Sequence, residues 1–128
     1  MPDLLLDTDV LVDVARGHPP AVEYLQALHD TTTVGVSVIT LMELLVGCRD
    51  QLEQRRVDDF VSRFEVLPVN AEISGIALGL IRQYRLQHGL LLPDALVAAT
   101  ALANGLSLVT RNHKHYRFIA DLALESPA

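Results

Sequence analysis

Three acidic residues of this chain stand inside apolar sequence, where an ionised carboxylate is expensive. Asp7 closes the run Leu4-Leu5-Leu6. Glu43 lies within Val38-Ile39-Thr40-Leu41-Met42-Glu43-Leu44-Leu45-Val46. Asp94 follows Pro93 and leads into Ala95-Leu96-Val97-Ala98-Ala99. A carboxylate in such a setting is protonated, paired with a cation or bound to a metal. Few basic side chains flank these runs. If the acids converge, a hard divalent cation is their simplest partner.

Each acid also has a plainer reading. Asp7-Thr8-Asp9 can cap a helix. Asp94 can occupy a first helical turn, where the helix dipole favours a carboxylate, and in its case both roles hold together. The helix around Glu43 is apolar nearly all round, which predicts burial. Thr40, Glu43 and Gly47 form a narrow polar stripe on it, as one inward-facing ligand would; the plainer reading of Glu43 is a glutamate at the solvent edge of its helix. Asp9 either supports the metal ligands or caps the helix, and Asp13, four residues on, is expected to face solvent.

Other chemistries lack their residues. The histidines (His18, His29, His88, His113, His115) contain no His-x-x-x-His pair of the zinc-protease kind. His113 and His115 flank Lys114 after Asn112 and read as surface residues, with His115 in reach of the acids. There is no Gly-x-Ser-x-Gly turn and no glycine-rich phosphate loop. The single cysteine, Cys48, excludes a disulfide within the chain and reads as a buried thiol in a reducing compartment.

The elements that must position these residues follow from apolar spacing. Leu4 to Leu6 reads as a buried strand and Val10 to Ala15 as a helix stopped by Gly17-His18-Pro19-Pro20. Ala21 to Leu28 is helical, and Thr32 to Ser37 is a β-branched strand. Helices are predicted over Ser37 to Val46 and Gln51 to Phe64, then a strand from Glu65 to Val69. Ala71 to Gln87 is a helix ended by His88-Gly89, and Asp94 to Ala103 one ended by Asn104-Gly105. Leu106 to Val109 is a strand, Thr110-Arg111-Asn112 a turn, and Leu122 to Leu124 a short last strand. This alternation predicts an α/β fold with a parallel sheet. Ligands of such sheets bind beyond the carboxyl ends of the strands. Asp7, Glu43, Asp94 and Asn112 are all expected at that rim.

With 128 residues, 50% hydrophobic and 20% charged, residues 1–128 suffice for a single domain. The formal charge of −6 argues against a general nucleic-acid-binding face. Lys114 is the only lysine, so the remaining cations are arginines, the better phosphate forks. Met1-Pro2-Asp3 carries no basic leader, and no run is long enough to span a bilayer. The expected location is cytoplasmic.

Four segments carry a resemblance. They are Leu5-Leu6-Asp7-Thr8-Asp9-Val10-Leu11-Val12, Ser37 to Gly47, Leu92 to Ala101, and Leu108-Val109-Thr110-Arg111-Asn112-His113-Lys114-His115-Tyr116. In order and spacing the chain resembles the PIN-domain family, and within it the VapC-type toxin ribonucleases of toxin–antitoxin pairs. The resemblance covers essentially the whole chain. It implies a three-layer α/β/α sandwich around a central parallel sheet, and metal-dependent endoribonuclease activity on RNA with Mg²⁺ or Mn²⁺. It maps the metal ligands to Asp7, Glu43 and Asp94. The family's fourth acid falls in the loop that here holds Asn112 and His115, which leaves fewer anionic oxygens for a second ion. Asn112 is then expected to orient water, and Arg111, Lys114 and His115 to contact phosphate. Thr8, Asp9 and Thr40 are expected behind the ligands. A homodimer and a cognate antitoxin are implied as partners. Two rivals stand beside this reading. One is a phosphohydrolase of the haloacid-dehalogenase type, which needs a lysine near the phosphate and a longer chain. The other is a PIN-like module that binds RNA or protein without cutting.

Overall fold

The computed structural model describes residues 2–28 and 30–127; His29 lies outside the described residues. The order of elements is β1 (Leu4–Leu6), α1 (Thr8–Ala15), α2 (Pro19–Gln26), β2 (Val34–Ser37), α3 (Val38–Val46), α4 (Gln51–Val61), β3 (Glu65–Leu67), α5 (Ala71–His88), α6 (Leu92–Asn104), β4 (Ser107–Val109) and β5 (Leu124–Glu125), with a 3-10 turn at His113–His115 before β5. The strands form one sheet in the order β3-β2-β1-β4-β5. Every pairing is parallel, with Leu6 opposite both Val36 and Val109.

Alternation along the strands builds the three layers. Leu5 and Leu108 join Ile73, Leu80, Ala95 and Ala98 in the core under α5 and α6. Leu4, Leu6, Val36 and Val109 point the other way, into a second core with Val10, Leu11 and Val61. A strand covered on both faces reads as a continuous apolar run, which is why Leu4-Leu5-Leu6 has no polar residue. Alanines dominate the inner side of α6: Ala95, Ala98, Ala99 and Ala101 are fully buried. Small side chains let that helix lie close to the sheet and to α5.

Several boundaries differ from expectation, for local reasons. α1 starts at Thr8 rather than Val10, because Asp7 is its N-cap and accepts from the Thr8 N–H. α6 starts at Leu92 with Pro93 in its first turn, so Asp94 is the third residue of the helix. Pro93 tolerates that place because the N–H it lacks has no partner in a first turn. The second and third strands are shorter than read, and α4 stops at Val61. The last strand is Leu124–Glu125, not Leu122 to Leu124, since Leu122 is held in a turn by its N–H bond to the Ile119 carbonyl.

The larger correction concerns α3. Its apolar sequence predicts burial, yet Thr40 is its only buried residue. Met42 and Val46 are 52% and 85% exposed, and Glu43 is exposed with them. α3 leaves the carboxyl end of β2 and packs against α1, α4, α6 and the ends of β2 and β3, while the side that carries Met42, Glu43 and Val46 has no layer above it. Leu91 and Leu92 extend the same bare surface at the start of α6. Cys48 is half-buried rather than buried, and its thiol meets the Leu44 carbonyl at 3.4 Å.

Candidate active site

The site grows from the carboxyl ends of β1 and β4. Asp7 follows β1 directly, and its N–H donates to the Val109 carbonyl at 2.9 Å. That bond ties the two strand ends together and turns the Asp7 side chain out of the sheet. The carboxylate is 6% exposed. Its Oδ1 accepts from the Thr8 N–H at 2.9 Å, and its Oδ2 from the Thr110 hydroxyl at 2.9 Å. No Lys, Arg or His forms an ion pair with it among the described residues. Burial and the neighbouring charge of Asp9 push Asp7 up to about 6, with a smaller contribution from Asp94, against the two hydrogen bonds.

Asp94 faces the same place from the first turn of α6. Its Oδ1 accepts from the Tyr116 hydroxyl at 3.2 Å, and His115 Nδ1 lies 3.5 Å from its Oδ2. Burial raises the Asp94 carboxyl above its ordinary value, opposed by Tyr116 and His115. Tyr116 is 1% exposed. Its phenol is pushed far upward, first by burial and then by the charges of Asp7 and Asp94. One neutral hydroxyl therefore stands where both carboxylates act.

Glu43 reaches this site through a threonine. The Thr8 hydroxyl lies 2.8 Å from Glu43 Oε1 and 3.0 Å from the Thr40 hydroxyl. An ionised carboxylate only accepts, so Thr8 donates to Glu43 and Thr40 donates to Thr8. Thr40 and Glu43 thus share the polar side of α3 that their spacing of three predicts, although Glu43 itself is exposed. Gly47, at the end of that stripe, is the C-cap of α3.

Asp9 accepts from the Val10 N–H at 2.7 Å and from the Arg111 N–H at 3.1 Å. It holds the loop after β4 against α1, and burial raises its carboxyl. One expectation changes here. Asp13 does not face open solvent: its side chain is 13% exposed, with Arg111 Nε 2.8 Å from Oδ2. Arg111, expected on phosphate, pairs with Asp13 and, at 3.9 Å, with Asp9, and its side chain stays 53% exposed. Asn112, Lys114 and His115 are exposed at the rim. The Asn112 N–H donates to the Thr110 hydroxyl at 3.0 Å.

The donor chemistry suits a hard cation. Carboxylates and hydroxyls surround an acid that is buried and unbalanced, and hard divalent ions take oxygen ligands. Among the described residues, no three His, Cys, Asp or Glu side chains form a ready-made cation shell. Asp7 and Asp94 share Tyr116, while Glu43 stands one hydroxyl away, on Thr8.

A parallel sheet in this order, with acids following β1 and opening α6, can be set against known proteins. The PIN domain family matches residues 4–120. The chain belongs to the PIN-domain family. It is 32% identical to "Ribonuclease VapC2" of Rickettsia felis, over 95% of this chain and 96% of that one. The crystal structure of VapBC2 from Rickettsia felis bound to a DNA fragment from their promoter superposes with a TM-score of 0.81 at 31% identity, covering 96% of this chain and 97% of that chain. A toxin–antitoxin complex from Klebsiella pneumoniae matches with a TM-score of 0.80 at 30% identity, covering 98% of each chain. Within the family, this chain is of the VapC type, the toxin ribonucleases of VapBC systems.

In this VapC-type chain, two contributors escape the sequence reading. Thr110 is fully buried and holds Asp7, and Tyr116 holds Asp94. Both lie in the fourth motif. A signal for Tyr116 existed: a tyrosine buried by its neighbours needs a partner for its hydroxyl. Nothing local in the sequence indicated that the partner would be Asp94, 22 residues away.

Proposed function

We propose that this VapC-type chain is a Mg²⁺- or Mn²⁺-dependent endoribonuclease, the toxin of a type II toxin–antitoxin pair. Asp7, Glu43 and Asp94 would hold the ion. The observation that carries this reading is Asp7: a buried carboxylate without a cationic partner among the described residues, sharing a hydroxyl neighbour with a second acid. When bound, the ion supplies Lewis acidity, lowering the pKa of water and offsetting charge on the scissile phosphate.

The chain's own residues do the rest. Thr110 and the Thr8 N–H fix both oxygens of Asp7, and Tyr116 fixes one oxygen of Asp94. Glu43, exposed on α3, would turn from Thr8 toward the aspartates. Asn112 would orient water at the rim. Lys114 and His115 would meet phosphate oxygens, and Arg111 would hold the loop that presents them. Thr40 and Asp9 support Thr8 and Arg111 in turn.

A second copy and a cognate antitoxin are the expected partners. The uncovered apolar side of α3 and the start of α6, with Met42, Val46 and Leu92 exposed, supports association through that face. A cytoplasmic location remains part of the proposal.

The test is cleavage of structured RNA with Mg²⁺, repeated with EDTA and with Asp7→Asn, Glu43→Gln and Asp94→Asn. Cleavage is expected to require Mg²⁺, to leave 5′-phosphate and 3′-hydroxyl ends, and to fall with each variant. Undiminished cleavage by all of them would end the metal reading. One observation favours the module that binds without cutting: residues 110–116, directly after β4, include Asn112, Lys114 and His115 but no carboxylate. Calorimetry separates the two. Intact RNA affinity without Mn²⁺ binding would select the module.

A further inference from the structure

Beside Asp94 lies a cleft of about 200 Å³, of whose lining the reading above uses Asp94, Lys114 and His115 but not His88, Leu91 or Phe118. Lys114 and His115, from the turn after β4, line it together with His88, Leu91 and Phe118. The cleft exists because α5 stops abruptly. Gly89 adopts a left-handed φ of 70° at the C-cap, and Arg85 Nη1 donates to the Gly89 and Leu90 carbonyls at 3.0 and 3.2 Å. The chain is thereby turned into α6, and His88 is left at the edge.

His88 is no stray surface histidine. Its ring stacks on Phe118 with centroids 4.4 Å apart and planes 1° from parallel. Tyr84 supports Phe118 from the side, with centroids 5.3 Å apart. The half-buried Phe118 thus backs an exposed flat ring. The cleft is smaller than the roughly 300–1,000 Å³ of pockets for drug-sized ligands, and its size suits one planar ring system. Stacked rings, a neighbouring cation and an apolar floor are the elements with which proteins hold an unpaired base.

We propose that this cleft holds one unpaired nucleobase of the RNA, next to the phosphodiester presented at Asp94. The inference rests on the ribonuclease reading for its choice of ligand. It also meets a difficulty in that reading. A chain of formal charge −6 gains little from phosphate neutralisation, so its hold on RNA needs another source. Stacking on His88 supplies one that needs no basic face. A base inside a duplex cannot enter, so the substrate strand at this point is a loop, bulge or single strand.

The experiment is fluorescence anisotropy in EDTA, so that no strand is cut. The probes are a labelled mixed-sequence single-stranded RNA 12-mer, its abasic counterpart and its fully paired duplex. The proteins are wild type, His88→Ala and His88→Phe. Wild type is expected to bind the 12-mer most tightly. His88→Ala is expected to lose about tenfold, the size of one base–aromatic stack, while His88→Phe keeps the affinity. Equal binding of the abasic strand by wild type, or unchanged binding by His88→Ala, overturns the inference. Because His88 is exposed and the abasic arm needs no mutation, misfolding does not confuse the result. The arms also separate the two readings. Base-dependent binding through His88 without Mg²⁺-dependent cleavage overturns the nuclease and keeps the cleft. Cleavage that needs Asp7, with His88 indifferent, does the reverse.

Discussion

The Tyr116 hydroxyl donates to Asp94 Oδ1 at 3.2 Å from a position that also feels the charge of Asp7. Without metal, this phenol is the neutral group standing among acids. A hydrogen bond to a charged group contributes roughly 1.5–3 kcal/mol, and the length of 3.2 Å to a partly exposed Asp94 puts this one at the lower end. Tyr116→Phe keeps the ring in its core. It is expected to destabilise the metal-free protein by about 1.5 kcal/mol, read by urea unfolding in EDTA. An unchanged midpoint would mean that the phenol does not hold Asp94.

Asp7 predicts an unusual pH dependence. Its folded-state pKa of about 6 lies above the ordinary value of 3.8. A raised acid disfavours the folded state wherever it is ionised there. The penalty is full above about pH 6, and it disappears as pH falls toward 3.8. At 1.36 kcal/mol per pKa unit it amounts to about 3 kcal/mol. Asp7→Asn removes it. Metal-free Asp7→Asn is therefore expected to be more stable than wild type at pH 8, with the difference closing on acidification. A pH-independent difference, followed by unfolding in EDTA, would show that the carboxylate is not buried.

Thr8 links α1 to α3 through one hydroxyl. Thr8→Val keeps the shape and removes the contacts to Glu43 and Thr40. Groups that orient metal ligands typically matter by roughly 10–100-fold in affinity or activity. Thr8→Val is expected to weaken Mn²⁺ binding within that range, measured by calorimetry, while the midpoint of unfolding in EDTA moves little. A collapse of stability with unaltered Mn²⁺ affinity would make Thr8 a packing residue.

Arg111 is engaged by α1, through Asp13 and Asp9. The guanidinium is 53% exposed, so its pairing with Asp13 contributes at most about 1 kcal/mol. Arg111→Ala is expected to lower the melting temperature modestly, with a smaller effect in high salt. RNA affinity in EDTA should change little. A large loss of RNA affinity at unchanged stability would return Arg111 to the phosphate.

Much of this was readable before any coordinates. The apolar run Leu4-Leu5-Leu6, the glycines after α3, α5 and α6, and the alternation of strands with helices specify local structure, because they act through neighbouring backbone. The parallel sheet then follows, and with it the rim where Asp7 and Asp94 emerge. The four motifs named the family because their order survives in one dimension. The exposure of α3 was not readable. Its composition states that it must be covered, but not whether the cover belongs to the same chain.

By itself, the amino-acid order determined that Asp7 and Asp94 are expensive carboxylates and at which end of the sheet they stand, while Glu43, expected to be buried with them, is exposed. Only the folded chain decided what each touches. Thr110 meets Asp7 across 103 residues, Thr8 meets Glu43 across 35, and Arg111 pairs with Asp13. Such contacts are fixed by side-chain directions at crossing elements to within an ångström or so. A periodicity of two or of 3.6 residues tells which side of an element a residue occupies, and nothing about what the neighbouring element places opposite it.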